Sequence, residues 1–168
     1  MHGPGSADGW PLPDSLSAHL AGSGPGLALS GAPLPLTDLG EAFRRAVAVQ
    51  RVMAAGACIE PATWDGLGAW RLIVEAPASL RPADLHPGAE TLAQQSNTAL
   101  MTTTRVILDL GGDVAAAAQA LHVHRTTLYY RMDRIRELTG VDLRTGAARI
   151  DLQLALWLAA YRDATVAG

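Results

Sequence analysis

The sequence predicts a mainly α-helical protein, in which a small, incomplete α/β segment precedes a C-terminal domain of about four helices. Apolar residues recur at the three- and four-residue spacing of a helix through most of residues 91–163. Short apolar runs of the strand type occur only before residue 77, and a proline-rich stretch separates the two regions. Since 49% of the 168 residues are hydrophobic, the chain can bury a core.

The N-terminal region begins with residues 1–26, whose proline, glycine and serine content predicts a disordered tail. Residues 27–76 follow as the partial α/β segment. An amphipathic helix is predicted over 35–56, with Asp38 as its N-cap and Glu41 three residues later. Strands are predicted at 26–32, 57–60 and 69–76.

Several side chains of this segment are expected to pack in its interior. Trp64 and Trp70 are predicted packing residues, and Cys58 is predicted to be a small buried hydrophobe. Because Cys58 is the only cysteine, no internal disulfide can form. The residues at helical spacing on one side of the helix are Leu39, Phe43, Ala46, Val47, Gln50 and Met53.

A predicted linker, residues 77–90, leads to the helical domain at 91–163, and residues 164–168 form a short tail. The four helices of the domain are predicted at 91–110, 113–121, 124–140 and 145–163. Residues that begin or end them are Gly111 and Gly112 after the first, Asp113 before the second and Gly140 after the third.

The second and third helices of this domain form a helix-turn-helix pattern. Ala116, Ala117 and Ala120 are small enough to let the next helix approach closely, and only His122 and Val123 separate the two helices. In such a pair the second helix enters the major groove of DNA with its N-terminal residues at the base edges.

The third helix is divided into an apolar and a polar side. Leu128, Met132, Ile135 and Leu138 stand four, three and three residues apart and are predicted to be buried, with Val123 beneath them. The remaining positions are polar, aromatic or basic. The residues assigned to DNA binding are His124, Arg125, Thr126, Thr127, Tyr129, Tyr130, Arg131 and Arg134.

Each of these residue types suits a contact with a duplex. The planar fork of Arg125 fits a base edge, most simply guanine, and Thr126 and Thr127 can contact a phosphate or a base edge. Tyr130 packs or donates its hydroxyl to the backbone, whereas Arg131 and Arg134 supply charge to phosphates. His124 is expected to cap or pack at the start of the helix.

The charge distribution supports a polyanionic partner for this region alone. From Gln119 to Arg149 there are six arginines and three acidic residues, which is a net charge of +3. The rest of the chain has seven arginines and thirteen acidic residues, a net charge of −6. A basic segment on an acidic chain is typical of a protein in which one part meets nucleic acid.

The stretch "GGDVAAAAQALHVHRTTLYYRMDRIRELTGVDLRTGAARIDLQLALWL" resembles the C-terminal DNA-binding domain of the PucR/CdaR family of bacterial transcription regulators. The helix pair is also similar to the Fis-type DNA-reading pair. Residues 28–74 resemble the second half of the degenerate GGDEF-like domain that precedes this DNA-binding domain in the family. The resemblance implies a sequence-specific regulator that lacks the first half of that domain and any N-terminal sensor.

Three residues depart from the family pattern. Thr126 replaces an asparagine, Tyr129 replaces an arginine and so removes a phosphate charge, and Thr104 replaces a leucine. These departures and the missing half-domain leave an alternative open. In it the chain is a truncated relative of a regulator that acts by heterodimerisation or modulation, without an operator of its own.

Other classes of function have weaker support. His122 and His124 are spaced as HxH, but no carboxylate or cysteine with ligand spacing joins them, so no metal or cofactor is predicted. No catalytic set is visible, and we predict that the chain is not an enzyme. Without a signal peptide or an apolar run of membrane length, it is predicted to be cytoplasmic.

A short DNA-reading helix usually works in pairs, so a homodimer or a heterodimer with a related regulator is expected. The fourth helix offers a candidate surface for either contact. One side of it carries Ile150, Leu154, Trp157, Leu158 and Tyr161. Of these, Leu154, Trp157 and Tyr161 are predicted to be core or, as the alternative, a dimer face.

Overall fold

The computed structural model of the protein describes residues 36–57, 59, 62–95 and 98–166. In these ranges the regular secondary structure is helical and contains no β-strand, so the predicted mainly α-helical class is confirmed. The predicted tail and first strand, together with Cys58, lie outside the described residues. None of the described helices combines the length and the apolar character that crossing a lipid bilayer requires.

The chain divides into two compact units, one ending at Arg71 and the other beginning at Leu72. In the first unit, helix α1 spans Leu39–Ala54 and follows a short 3-10 helix at Leu36–Asp38, which confirms the helix predicted over 35–56. Asp38 stands at the N-cap position, as predicted, but its side chain makes no capping hydrogen bond. Asp38 ends the 3-10 helix and therefore lacks the extended backbone that an N-cap adopts.

The buried face of α1 differs from the predicted one. Ala48, Val49 and Val52 are buried, whereas Leu39 and Phe43 are 67% and 71% exposed. The apolar spacing therefore predicted the helix correctly and its packed side wrongly. The buried residues are small apolar ones in the last two turns of the helix.

Trp64 is a packing residue, as predicted, and is 8% exposed. Three guanidinium groups surround its ring: the Cζ atoms of Arg44, Arg45 and Arg71 lie 5.9, 5.5 and 5.4 Å from the ring centroid. The Glu41 carboxylate accepts hydrogen bonds from Arg45 and Arg44, and these bonds lower the pKa of Glu41. The aromatic ring and the carboxylate together organise the arginines of this unit.

Helix α2 spans Trp70–Val74, where the sequence predicts a strand over 69–76. Trp70 and Ile73 are 7% and 4% exposed, and their separation of three residues is that of a helix. The prediction was wrong because an apolar run this short does not distinguish a strand from a buried helical turn. The described residues of the predicted strand 57–60 are not part of a strand either.

Two short helices, α3 at Pro82–Leu85 and α4 at Gly88–Ala93, occupy the region predicted as the linker 77–90. The proline that begins α3 stands at the first helical position, where its missing N–H costs nothing. The Asp84 carboxylate accepts a hydrogen bond from the backbone N–H of Arg81 at 2.8 Å. Pro82 is thus the first residue of α3, and Pro87 is the N-cap of α4. The linker prediction was wrong, because these residues form helices.

The helix predicted over 91–110 is divided between two helices. Helix α4 ends at Ala93, and α5 spans Thr98–Asp109. Gly111 and Gly112 follow α5 with φ angles of 65° and 91°, which confirms their predicted role in ending it.

Three further helices complete the second unit: α6 at Val114–Ala120, α7 at Arg125–Thr139 and α8 at Ala148–Val166. Helix α8 packs against α3, α4 and α5, while α5, α6 and α7 contact one another. One hydrophobic core runs through the unit. It contains Ala89, Leu92, Leu100, Ile107, Leu108, Ala117, Leu128, Met132, Ile135, Val141, Leu143, Leu152, Ala155 and Leu156.

The side of α8 that was predicted to be packed is only partly buried. Leu158 is 1% exposed, as predicted, but Ile150 is 53% exposed. Leu154, Trp157 and Tyr161 are half-buried. The helix is turned so that its core contacts come from Leu152, Ala155, Leu156 and Leu158. Ile150 is therefore not part of the core of a single chain, and the surface between Ile150 and Tyr161 remains partly open.

Substitution of Gly112 by alanine is expected to destabilise the second unit by about 2 kcal/mol. Its φ angle of 91° disfavours a side chain, and an added Cβ would lie 3.1 Å from the Arg144 Cα atom and 3.1 Å from an Arg149 guanidinium nitrogen. Urea unfolding of the full chain measures the change in the free energy of unfolding.

Gly111→Ala is the matched control for this prediction. Gly111 also has a positive φ, but an added Cβ meets nothing within 4 Å, so only the cost of the backbone conformation, about 1 kcal/mol, is expected. Equal losses in the two variants would contradict the close packing at Gly112.

Candidate nucleic-acid interface

Helix α6 packs against α7, the helix that carries most of the residues assigned to DNA binding. The N-cap of α6 is Asp113, as predicted: the carboxylate accepts hydrogen bonds from the backbone N–H groups of Ala115 at 2.9 Å and Ala116 at 3.0 Å. Ala117 is fully buried between the neighbouring helices, whereas Ala120 is exposed. Of the alanines expected to permit close approach, Ala117 fills that role and Ala120 does not, because it lies on the outer side of the last turn.

The turn between α6 and α7 is longer than predicted. It contains four residues, Leu121 to His124, and not two, because α6 ends at Ala120 and α7 begins at Arg125. His122 has a φ angle of 53°, in the left-handed region, which reverses the chain direction. Val123 is half-buried and packs against the core beneath α7, as predicted.

The apolar side of α7 is buried as the sequence predicts. Leu128 and Ile135 are fully buried and Met132 is 7% exposed, while Leu138 packs against the core from its edge. The helix ends at Gly140, which has a φ angle of 76° and donates a hydrogen bond from its N–H to the carbonyl of Arg136 at 2.7 Å. One long side of α7 is thus fixed to the protein.

The opposite side of α7 is open. Arg125, Thr126 and Thr127 are exposed, and Tyr129 and Tyr130 are 47% and 74% exposed. At this exposure most of the Tyr130 side chain is open to a ligand. An open groove runs along the adjoining turn and is lined by Ala118, Gln119, His122, Val123 and His124.

His124 is the N-cap of α7, as predicted. Its Nδ1 atom accepts a hydrogen bond from the backbone N–H of Thr126 at 3.3 Å, and the Thr126 hydroxyl lies 3.0 Å from the same nitrogen. A neutral ring whose Nδ1 accepts this hydrogen bond has its N–H at Nε2. Among the described residues there is no group of three or more histidine, cysteine or acidic side chains that could hold a metal ion.

The arginines of the basic segment differ in their surroundings. Arg134 forms an exposed ion pair with Glu137 at 2.8 Å, one turn along the same helix. Arg131 is half-buried and donates a hydrogen bond to the Thr103 hydroxyl at 3.2 Å. Arg125 and Arg136 are both exposed, and neither makes an ion pair with a described residue; of the two, Arg125 lies in the first turn of α7.

Two further arginines act within the second unit. Arg144 donates hydrogen bonds to the Asp142 carboxylate, and these bonds lower the pKa of Asp142 to about 2. Arg149 donates to the carbonyl oxygen of Gly111 at 2.8 Å and to that of Arg144 at 3.3 Å. Arg149 thereby connects the start of α8 to the turn that precedes α6.

The two packed helices, their connecting turn and the open first turn of α7 form a helix-turn-helix. Residues 100–158 match the PucR C-terminal helix-turn-helix domain. This match lies within the second unit and includes α6 and α7 in full. The resemblance of residues 27–76 to a GGDEF-like domain stays a prediction, because the match begins after them.

Three curated relatives are similar to parts of this chain. The purine catabolism regulatory protein of Bacillus subtilis (strain 168) is 35% identical over 63 residues, which are 38% of this chain and 12% of the relative. The carbohydrate diacid regulator of Escherichia coli (strain K12) is 51% identical over 43 residues, 26% of this chain and 11% of the relative.

The proline-responsive transcriptional activator PutR of Bacillus subtilis (strain 168) is 35% identical over 65 residues, 39% of this chain and 16% of the relative. Each match thus spans less than a fifth of the relative's length. No solved structure matches the chain.

Replacing His124 by alanine is expected to lower the free energy of unfolding by about 1 kcal/mol, because the N–H of Thr126 loses its acceptor. His124→Asn is the control, since an asparagine side chain accepts the same hydrogen bond and is a preferred N-cap. The two variants are compared by urea unfolding. A loss of the same size in both would contradict the capping role of the Nδ1 atom.

Proposed function

We propose that the chain is a sequence-specific DNA-binding transcription regulator of the PucR/CdaR type, which reads the major groove with α7, Arg125–Thr139. One observation carries this proposal. The first turn of α7 is exposed at Arg125, Thr126 and Thr127, while Leu128 on the next turn is fully buried. A helix held from behind with its N-terminal residues outward has the geometry of the second helix of a helix-turn-helix on DNA.

The chemistry of the exposed face supports the division of roles. Arg125 has no competing ion pair with a described residue, so both edges of its guanidinium are available to a guanine. Thr126 and Thr127 offer hydroxyls for a phosphate or a base edge, and His124 offers an Nε2–H donor beside them. Tyr129, Tyr130 and Arg134 are proposed to contact the DNA backbone, which positions the helix without specifying sequence. Arg131, which the sequence also assigned to a phosphate, donates its hydrogen bond to Thr103.

The names of the three relatives support regulation as the shared function. Each is called a regulator or an activator, but the names refer to different compounds: purines, carbohydrate diacids and proline. The helix-turn-helix is the part of this chain that matches the PucR domain. We therefore propose control of transcription without assigning one compound to it.

We also propose that the chain binds DNA as a dimer, either with a second copy or with a related regulator. Helix α7 has 15 residues, and only its first turns reach base edges in this mode of binding, so one copy reads few base pairs. The partly open side of α8, from Ile150 to Tyr161, is a candidate for the contact.

The proposal is tested by selecting bound sequences from random duplex DNA with the full chain. In the selected duplex, Arg125→Ala is expected to reduce discrimination against one altered base pair by about 1–3 kcal/mol, while weak, salt-sensitive binding remains. Titrations of matched and altered duplexes at two salt concentrations measure this.

The matched control is Arg51→Ala, because Arg51 is an exposed arginine of α1 in the other unit. It is expected to retain the full discrimination. An equal loss of affinity for all sequences in Arg125→Ala would show that Arg125 is only a phosphate contact. If the wild-type chain selects no sequence but binds a full-length related regulator, the protein-protein alternative replaces this proposal.

If the chain binds as a symmetric dimer, the selected sites should contain two inverted half-sites about 10 base pairs apart, or a multiple of that spacing. Sedimentation of the complex is expected to give two chains for each duplex. A single half-site bound by one chain at full affinity would contradict the dimer.

A further inference from the structure

Arg131 has different surroundings from the other arginines of α7. It is half-buried, and its guanidinium donates a hydrogen bond to the Thr103 hydroxyl of α5 at 3.2 Å. By contrast, Arg134 is exposed and pairs with Glu137 on its own helix. Arg131 therefore directs its charged group toward the protein, although the sequence alone suggests a phosphate contact.

The acceptor of this hydrogen bond is fully buried. Thr103 is 0% exposed, so water cannot replace the guanidinium as the donor. Its neighbour Thr104 is equally buried, but the Thr104 hydroxyl donates to the carbonyl of Leu100 within α5, at 2.9 Å. Thr103 is thus the buried hydroxyl that connects two different helices.

The connection adds a directional constraint to a contact that is otherwise apolar. Helix α7 packs against α5, and its buried residues Leu128, Met132 and Ile135 are apolar. Apolar side chains tolerate small shifts along a helix axis. A hydrogen bond from a charged donor depends steeply on distance and angle. The bond joins residues 28 positions apart in sequence and so fixes the position of α7 relative to α5.

We infer that Arg131 is a positioning residue, which sets the position of the DNA-reading helix through its hydrogen bond to Thr103. This inference rests on the proposed function and replaces the phosphate contact assigned to Arg131 with a role inside the protein. Removing this hydrogen bond lets α7 shift, so the contacts to bases weaken while the number of phosphate contacts is unchanged.

Thr103→Val tests this directly, because valine keeps the shape of threonine and removes the acceptor, while the charge of Arg131 stays in place. The ratio of affinities for the selected duplex and a random duplex is expected to fall about tenfold. The slope of log affinity against log salt concentration is expected to stay at the wild-type value. Thr103→Ser, which restores the hydroxyl, should restore the ratio.

Arg131→Met removes the donor of the same hydrogen bond and keeps the packing of the aliphatic part of the side chain. It is expected to lower the ratio as far as Thr103→Val does, again with an unchanged slope, and the double variant should lose no more than either single one. Arg134→Met is the contact control, since an exposed arginine that binds a phosphate should change the slope by about 0.9. Thr102→Val, at an exposed position of α5, should change neither quantity.

Each outcome decides the inference. A ratio that stays at the wild-type value in Thr103→Val, or a slope change near 0.9 in Arg131→Met, overturns it and leaves the proposed function intact. If Thr103→Val fails to fold, the slope and ratio of Arg131→Met make the same decision. A wild-type chain without any preferred sequence overturns the proposed function, and this inference with it.

Discussion

The burial of Leu128, Met132 and Ile135 is the constraint on which the candidate interface depends. These residues stand on one side of α7, so packing them fixes which side of the helix faces outward. Each buried side chain of this size contributes about 1.5–3 kcal/mol, far more than an exposed polar contact. The core therefore orients Arg125 and Thr127 without any direct interaction with them.

Apolar burial fixes the rotation of α7 about its axis, but not where the helix begins. That point is set by the turn: His122 adopts a left-handed backbone, and His124 accepts the N–H of Thr126. At the other end Gly140 closes the helix in a left-handed conformation. The residues at the two ends thus fix where α7 begins and ends, and they place Arg125 in its exposed first turn.

The parts of the fold that the sequence predicted correctly are those specified by several local signals. For α7 the apolar spacing, the N-cap and the terminal glycine agree, and its observed bounds, Arg125–Thr139, differ by one residue from the prediction. Residues 69–76 had only one signal, a short apolar run, which predicted a strand where the structure has the helix α2. The packed side of α1 and the bond from Arg131 to Thr103 depend on residues distant in sequence, which no local pattern reveals.

The six arginines between Gln119 and Arg149 are not equally available to a duplex. Arg144 forms an ion pair with Asp142, and Arg134 forms one with Glu137. Arg149 donates hydrogen bonds to backbone carbonyls. A phosphate that approaches these groups must compete with partners already in place, which weakens its net gain. Arg125 and Arg136 have no such competitor among the described residues, and Arg125 is the one that lies in the exposed first turn, where a helix-turn-helix meets base edges. The contrast argues that recognition is concentrated at the start of α7.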